Sequence, residues 1–241
     1  MQLPSVEGVI RRRILVNFRV DPEVMQAQIP ARFTPKLHDG KAIAGICLIR
    51  LEEIRPRSLP AFVGLASENA AHRVAVRWRG EGGEEKEGVF IPRRDTSSTM
   101  NRIAGGRLFP GEHHLAAFEV DCSDDEIRLE MESSDGQVAV RVRGRTAAAL
   151  PESSSFSSVA EASAFFEPGS LGYSATSDPS RLDGVMLKTK TWKVEPLAIE
   201  EVYSSYFSDE LRFPKGSVDF DCALLMRNIA HEWHGTGDLY V

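Results

Sequence analysis

The chain has 241 residues, 42% of them hydrophobic and 27% charged, which is enough apolar material for a sizeable core. A formal net charge of −6 argues against a general nucleic-acid binder, whose phosphate contacts demand a basic surface. No apolar run approaches the roughly 20 residues of a membrane helix, and the first residues lack the charged, apolar, small-residue order of a secretory signal.

These features point to a cytoplasmic protein with no membrane partner. Cys47, Cys122 and Cys222 are odd in number, far apart and set among apolar neighbours, so all three are expected to be reduced, buried thiols. Of the 29 basic residues 22 are Arg. The cation on offer is therefore mostly a planar, permanently charged fork suited to carboxylate or phosphate, not a nucleophilic amine.

In chain order, Arg11–Val20 is rich in β-branched and aromatic residues and predicts a strand. Asp21-Pro22 supplies an N-cap and a proline at the first helical position, so a short helix follows and stops near Pro30. Lys41–Ile54 is a second strand, whose nearly continuous apolar run predicts burial on both faces. In His72–Arg79, His72, Val74, Val76 and Trp78 alternate with Arg73, Ala75, Arg77 and Arg79. The arginine face reads first as the wet side of a half-buried sheet. After a charged glycine-rich loop, Gly88–Arg93 is the returning strand. Asp95 or Thr96 is expected to cap a helix running to about Ala104, ended by Gly105-Gly106.

His114–Asp121, Glu126–Glu132 and Gln137–Arg145 predict an antiparallel meander. Val138, Val140 and Val142 face one way in its last strand; Arg141, Arg143 and Arg145 face the other, with Glu130 or Glu132 as candidate cross-strand partners. A Ser-rich loop and a helix ending before Pro168 follow. Val185–Val194 is a further strand, then a segment containing Glu and Tyr runs to Phe207. The apolar stretch within Val218–Trp233 fits strand or helix. No internal repeat or long linker divides the chain, so residues 1–241 are expected to form a single domain. Many short-turned strands and few helices give an α+β, mainly antiparallel architecture, closed or half-closed into a barrel with flanking helices.

Arg93-Arg94-Asp95 is the most specific local feature. On an extended chain the two arginines point to opposite faces, so one can enter a cavity as a carboxylate clamp while the other meets solvent or another subunit. The plainer reading is a surface salt bridge with an N-cap. His113-His114 cannot give two ligands to one ion from a regular strand, and His231-Glu232-Trp233-His234 lacks the i, i+4 histidine spacing of a helical zinc site, so no metal is expected. Lys188, Lys190 and Lys193 could offer an amine nucleophile, but a solvated strand face explains them as well.

Several landmarks together resemble a known family. Asp21-Pro22-Glu23, Ile29-Pro30, Asp39-Gly40-Lys41-Ala42, Glu68-Asn69 with Arg73, Gly88-Val89-Phe90 with Asp95, Gly169-Ser170-Leu171 and Trp192 with Pro196-Leu197 look like the bacterial family called domain of unknown function 2071. That family is similar in fold to acetoacetate decarboxylase. The resemblance implies a cone-shaped antiparallel barrel enclosing a pocket. In the decarboxylase a lysine forms a Schiff base with a β-keto acid, and an adjacent lysine lowers its pKa. The nearest match here is Ile91-Pro92-Arg93-Arg94, where the resemblance implies arginines in place of both lysines. A guanidinium cannot form the imine but can hold a carboxylate.

The expected function is therefore binding of a small anionic organic molecule by Arg93 or Arg94, with Glu68 and Arg73 as a neighbouring polar pair and no cofactor. Two alternatives stand beside it: an enzyme acting on small organic acids without imine chemistry, with Glu68 or a histidine moving the proton, and a non-catalytic domain whose arginines make contacts in a homo-oligomer.

Overall fold

A computed structural model describes residues 5–104 and 110–241. Its strands are β1 (Val6–Val20), β2 (Thr34–Pro35), β3 (Leu37–His38), β4 (Lys41–Pro56), β5 (Leu65–Arg79), β6 (Glu85–Thr96), β7 (His113–Cys122), β8 (Glu126–Ser133), β9 (Ala139–Thr146), β10 (Leu171–Ala175), β11 (Arg181–Thr189), β12 (Glu195–Ser204), β13 (Val218–Gly235) and β14 (Leu239–Tyr240). The α-helices are α1 (Pro22–Gln26), α2 (Thr99–Ala104) and α3 (Val159–Phe166).

Five long strands form the frame, hydrogen-bonded in the order β13-β1-β4-β5-β6. Each end strand of that frame is shared between two partners on its outer edge. The first half of β13 pairs with β12 and its last residues with β11. On β6, Val89–Ile91 pair with β10, and Arg94–Thr96 with β7. Two closed circuits result. One runs from the frame through β7, β8, β9 and β12, giving a nine-stranded mixed barrel in which the β6–β7 pair is parallel. The other returns through β10 and β11 and closes with seven strands.

Alternation assigns each frame residue to one circuit. Ile14 and Val16 of β1, Ile46 and Leu48 of β4, and Val74 and Val76 of β5 join Leu129, Val140, Val142 and Leu197 in the main core. The opposite set, Leu15, Cys47, Ala71, Ala75 and Ile91, packs with Phe156, Ala162 and Phe166 from the Ser-rich loop and α3. Because both faces of the frame are enclosed, β4 is apolar almost without interruption, as its sequence predicts. The same cause explains β13: its stretch from Cys222 to Met226 is wholly buried, so no polar alternation distinguished strand from helix.

Several expectations need correction. The strand β6 runs on to Thr96, so Asp95 is a buried strand residue and caps nothing; Ser98 instead accepts from the Asn101 backbone N–H at 3.2 Å. Gly105-Gly106 lie outside the described residues. Cys47 and Cys222 are buried, but Cys122, at the end of β7, is exposed. Arg141 and Arg143 pair with Glu201 and Glu200 of β12, not with β8. The strand expected over Val185–Val194 begins earlier, at Arg181, and is preceded by the unanticipated five-residue β10.

Candidate functional site

The seven-stranded circuit encloses a cavity of about 140 Å³. All seven strands line it, and Phe165 and Phe166 of α3 close one side. Ile49, Leu51, Val89, Ile91, Val185, Leu187 and Trp233 make the wall largely apolar. Into that wall project three arginines: Arg13 from β1, Arg73 from β5 and Arg94 from β6.

A local irregularity decides which arginine of the Arg93-Arg94 pair enters. Val89 and Ile91 face the cavity, and unbroken alternation would send Arg93 after them. The β5–β6 register instead slips by one residue between the His72–Arg93 and Val74–Phe90 pairs. Pro92 sits in the slip. Proline lacks the N–H a regular ladder requires and is tolerated at bulges, where the extra residue swaps the faces. Arg94 therefore points into the cavity. Arg93 lies on the other side, where it holds the fully buried Asp95 at 2.8 Å and Asp135 at 3.0 Å.

The three cavity arginines share an electrostatic peculiarity. Arg94 Nε donates to Ser174 Oγ at 3.0 Å. Arg73, 4% exposed, donates to the Asn17 side-chain carbonyl and stacks over Phe166 at 4.9 Å, but its Nε has no partner among the described residues. Arg13 Nε donates to Cys47 Sγ at 3.3 Å, and its buried Nη1 has no partner among the described residues. Nearby acids are already engaged. Glu87 pairs with Lys36 at 3.0 Å, Asp95 with Arg93, and Asp183 with Arg181 at 3.5 Å and the Gly111 N–H at 2.9 Å. Among the described residues, none of the three guanidiniums has a carboxylate in ion-pair contact. Burial brings Arg73 and Arg94 down to about 10, still charged at neutral pH. Uncompensated buried charge is costly and marks a place where a counter-charge is favoured.

Around them, His113 faces the cavity directly opposite Arg94 across the β6–β7 pair. Burial, then the charge of Arg94, lowers its imidazole to about 3. Lys36 Nζ donates to the Phe165 carbonyl at 3.2 Å, tying the end of α3 to Glu87 of β6. Lys188, Lys190 and Lys193 are exposed.

Of the four residues singled out from the sequence, the structure brings Arg73 and Arg94 together. Arg93 is excluded by the bulge. Glu68 and Arg73 were expected to be neighbours, but they differ by an odd number of positions on β5 and so occupy opposite faces. Glu68 pairs with Arg12 at 2.6 Å. The wet-face reading of Arg73 is also overturned, although Arg79 on the same strand is exposed. Sequence reasoning missed Arg13, Asn17, Cys47 and His113. The available signal was parity on β1, where Arg13 and Asn17 share the face of Leu15.

A barrel built on a shared five-stranded frame, with its cavity beside α3, is the acetoacetate decarboxylase-like fold. The match to an acetoacetate decarboxylase from Legionella pneumophila has a TM-score of 0.60 at 14% identity and covers 98% of this chain and 88% of that one. The enduracididine biosynthesis enzyme MppR, solved with pyruvate, matches with a TM-score of 0.60 at 8% identity over 100% of this chain and 91% of that one. An acetoacetate decarboxylase-like enzyme from Sphingomonas wittichii RW1 gives 0.55 at 13% identity, over 98% and 92%. Identities this low establish the fold and leave the chemistry open. The chain belongs to the domain of unknown function 2071 family, described as an uncharacterized conserved protein, which matches residues 9–216. No curated protein sequence matches it.

Proposed function

We infer that the cavity binds a small organic acid, with Arg94 as the carboxylate anchor and Arg73 and Arg13 supplying further donors and positive field. The observation that carries this reading is three guanidiniums lining one apolar cavity with no carboxylate partner among the described residues. A carboxylate would satisfy the open N–H groups and offset the cost of burying the charges. The apolar wall would take the ligand's carbon skeleton. Pyruvate and acetoacetate are the first acids to try, being those named for proteins of the same fold.

A thermal-shift series tests it, comparing each acid with its neutral amide. The acids should raise the melting temperature and the amides should not. If both act alike, or neither acts, the clamp is wrong.

Catalysis on such an acid is the second reading, favoured by His113 beside the anchor with its imidazole held neutral. Imine chemistry has little support, because Lys36, the lysine of the cavity wall, is ion-paired with Glu87. Borohydride reduction in the presence of acetoacetate, followed by mass spectrometry, should leave every lysine unmodified. Consumption of a bound acid by wild type but not by His113→Phe would turn the binding site into an active site.

A further inference from the structure

The cavity holds one more reactive group that the binding reading does not use. Cys47 lies on β4 directly opposite Leu15 of β1 and Ala71 of β5, and Ala71 in turn lies opposite Arg94 of β6. A single row thus crosses the sheet, with the thiol and the anchor separated only by the methyl of an alanine. Arg13 and Arg73 sit diagonally to either side, because Ile49 pairs with Arg13 and Gly45 with Arg73. Arg13 Nε donates to the sulfur at 3.3 Å. Cys47 and all three arginines line the same cavity. Cys47 is 7% exposed.

The other two thiols have different settings. Cys222 is fully buried outside the cavity wall, and burial beside Asp221 pushes it up to about 12. Cys122 is on the surface, near Arg12, whose charge Glu68 takes up at 2.6 Å.

We propose that Cys47 is a nucleophile that bonds to the carbon next to the carboxylate of a bound acid. The inference rests on the anion site: a carboxylate docked on Arg94 and the open N–H of Arg73 holds its neighbouring carbon against the sulfur, which turns a bimolecular encounter into a positioned one. With an α-keto acid the product is a thiohemiketal. The S–C bond forms, the C=O π bond breaks, and the proton lost by sulfur ends on the former carbonyl oxygen. No oxidant or reductant is needed, and the step is reversible.

Iodoacetate and iodoacetamide test this on the intact protein. Both alkylate sulfur at a methylene carbon: the S–C bond forms, iodide leaves with the C–I pair, and the thiol proton passes to buffer. They differ in that one carries a carboxylate. The iodoacetate-to-iodoacetamide rate ratio, read by peptide mass spectrometry, should be at least about tenfold higher at Cys47 than at Cys122, the factor one charge-assisted hydrogen bond gives. Propionate should slow the labelling of Cys47 and spare Cys122. Arg94→Gln and Arg94→Lys, each checked for an intact melting transition, should bring the Cys47 ratio toward that of Cys122, the lysine variant less so.

Equal ratios at the two thiols, or an unlabelled Cys47, in a protein whose melting temperature propionate still raises would overturn the nucleophile and leave the anion site standing. Equal ratios with no propionate shift would overturn both.

Discussion

Replacing Arg94 with methionine should make the empty protein more stable while removing its ligand response. Methionine keeps an unbranched apolar stem in a wall of Ile91, Val89 and Leu187 and deletes the guanidinium. In the native protein burial lowers Arg94 from 12.5 to about 10, which corresponds to roughly 3 kcal/mol of unfavourable environment at about 1.4 kcal/mol per tenfold change. Arg94 is only partly buried, so solvent screens part of that cost. Against the gain stands one hydrogen bond to Ser174, worth about 1 kcal/mol. Asp183 keeps Arg181 and the Gly111 N–H. The balance is about 1–2 kcal/mol in favour of the variant, or roughly 2–8 °C in melting temperature for a chain of this length. The lost carboxylate bonds should weaken an acid's affinity by roughly ten- to a hundredfold. Differential scanning fluorimetry with and without pyruvate reads both quantities. A variant that melts below the wild type, or that still responds to pyruvate, would show Arg94 to be an internally satisfied structural residue.

The neighbouring arginine should behave in the opposite way. Arg93→Ala strands the buried Asp95 carboxylate and should cost about 3–5 kcal/mol, seen as a lower urea midpoint, with acid affinity unchanged in whatever fraction stays folded. Gly88→Val should destabilise by about 1–3 kcal/mol, because a Cβ there would lie 2.3 Å from the Leu171 carbonyl oxygen, where β10 pairs with β6. Acid should also weaken the fold. Burial holds His72 and His113 at about 3 and His231 at about 4, below the ordinary 6.5 that the unfolded chain retains. Protons then bind the unfolded state preferentially, so this stability is complete above pH 6.5 and is lost as pH falls to about 4 for His231 and about 3 for His72 and His113. The loss reaches up to about 1.4 kcal/mol per pH unit for each histidine. A urea midpoint that stays level from pH 6.5 to 5 would contradict the neutral burial of these rings.

Most of the barrel was legible because period-two alternation is a strong signal wherever one face is apolar, as in Val138–Arg145 and His72–Trp78. The site was less so, for three physical reasons. Alternation tells which residues share a face, but it cannot tell water from a lined cavity, so Arg73 read as solvated. A one-residue slip at Pro92 reversed the parity that would have chosen Arg93 over Arg94. And β10, only Leu171–Ala175, is too short to show a pattern, though it closes the second circuit and supplies Ser174 to the anchor.

The frame shared by two circuits has a consequence for how such a protein can change. Ile14, Val16, Ile46, Leu48, Val74 and Val76 build the main core from one side of three strands. Arg13, Leu15, Cys47, Ile49, Ala71 and Arg73 write the cavity on the reverse of the same strands. Successive residues along the chain thus answer to separate demands, one to folding and the next to ligand. The cavity alphabet can be respelled one letter at a time while the text that folds the barrel stays as it was.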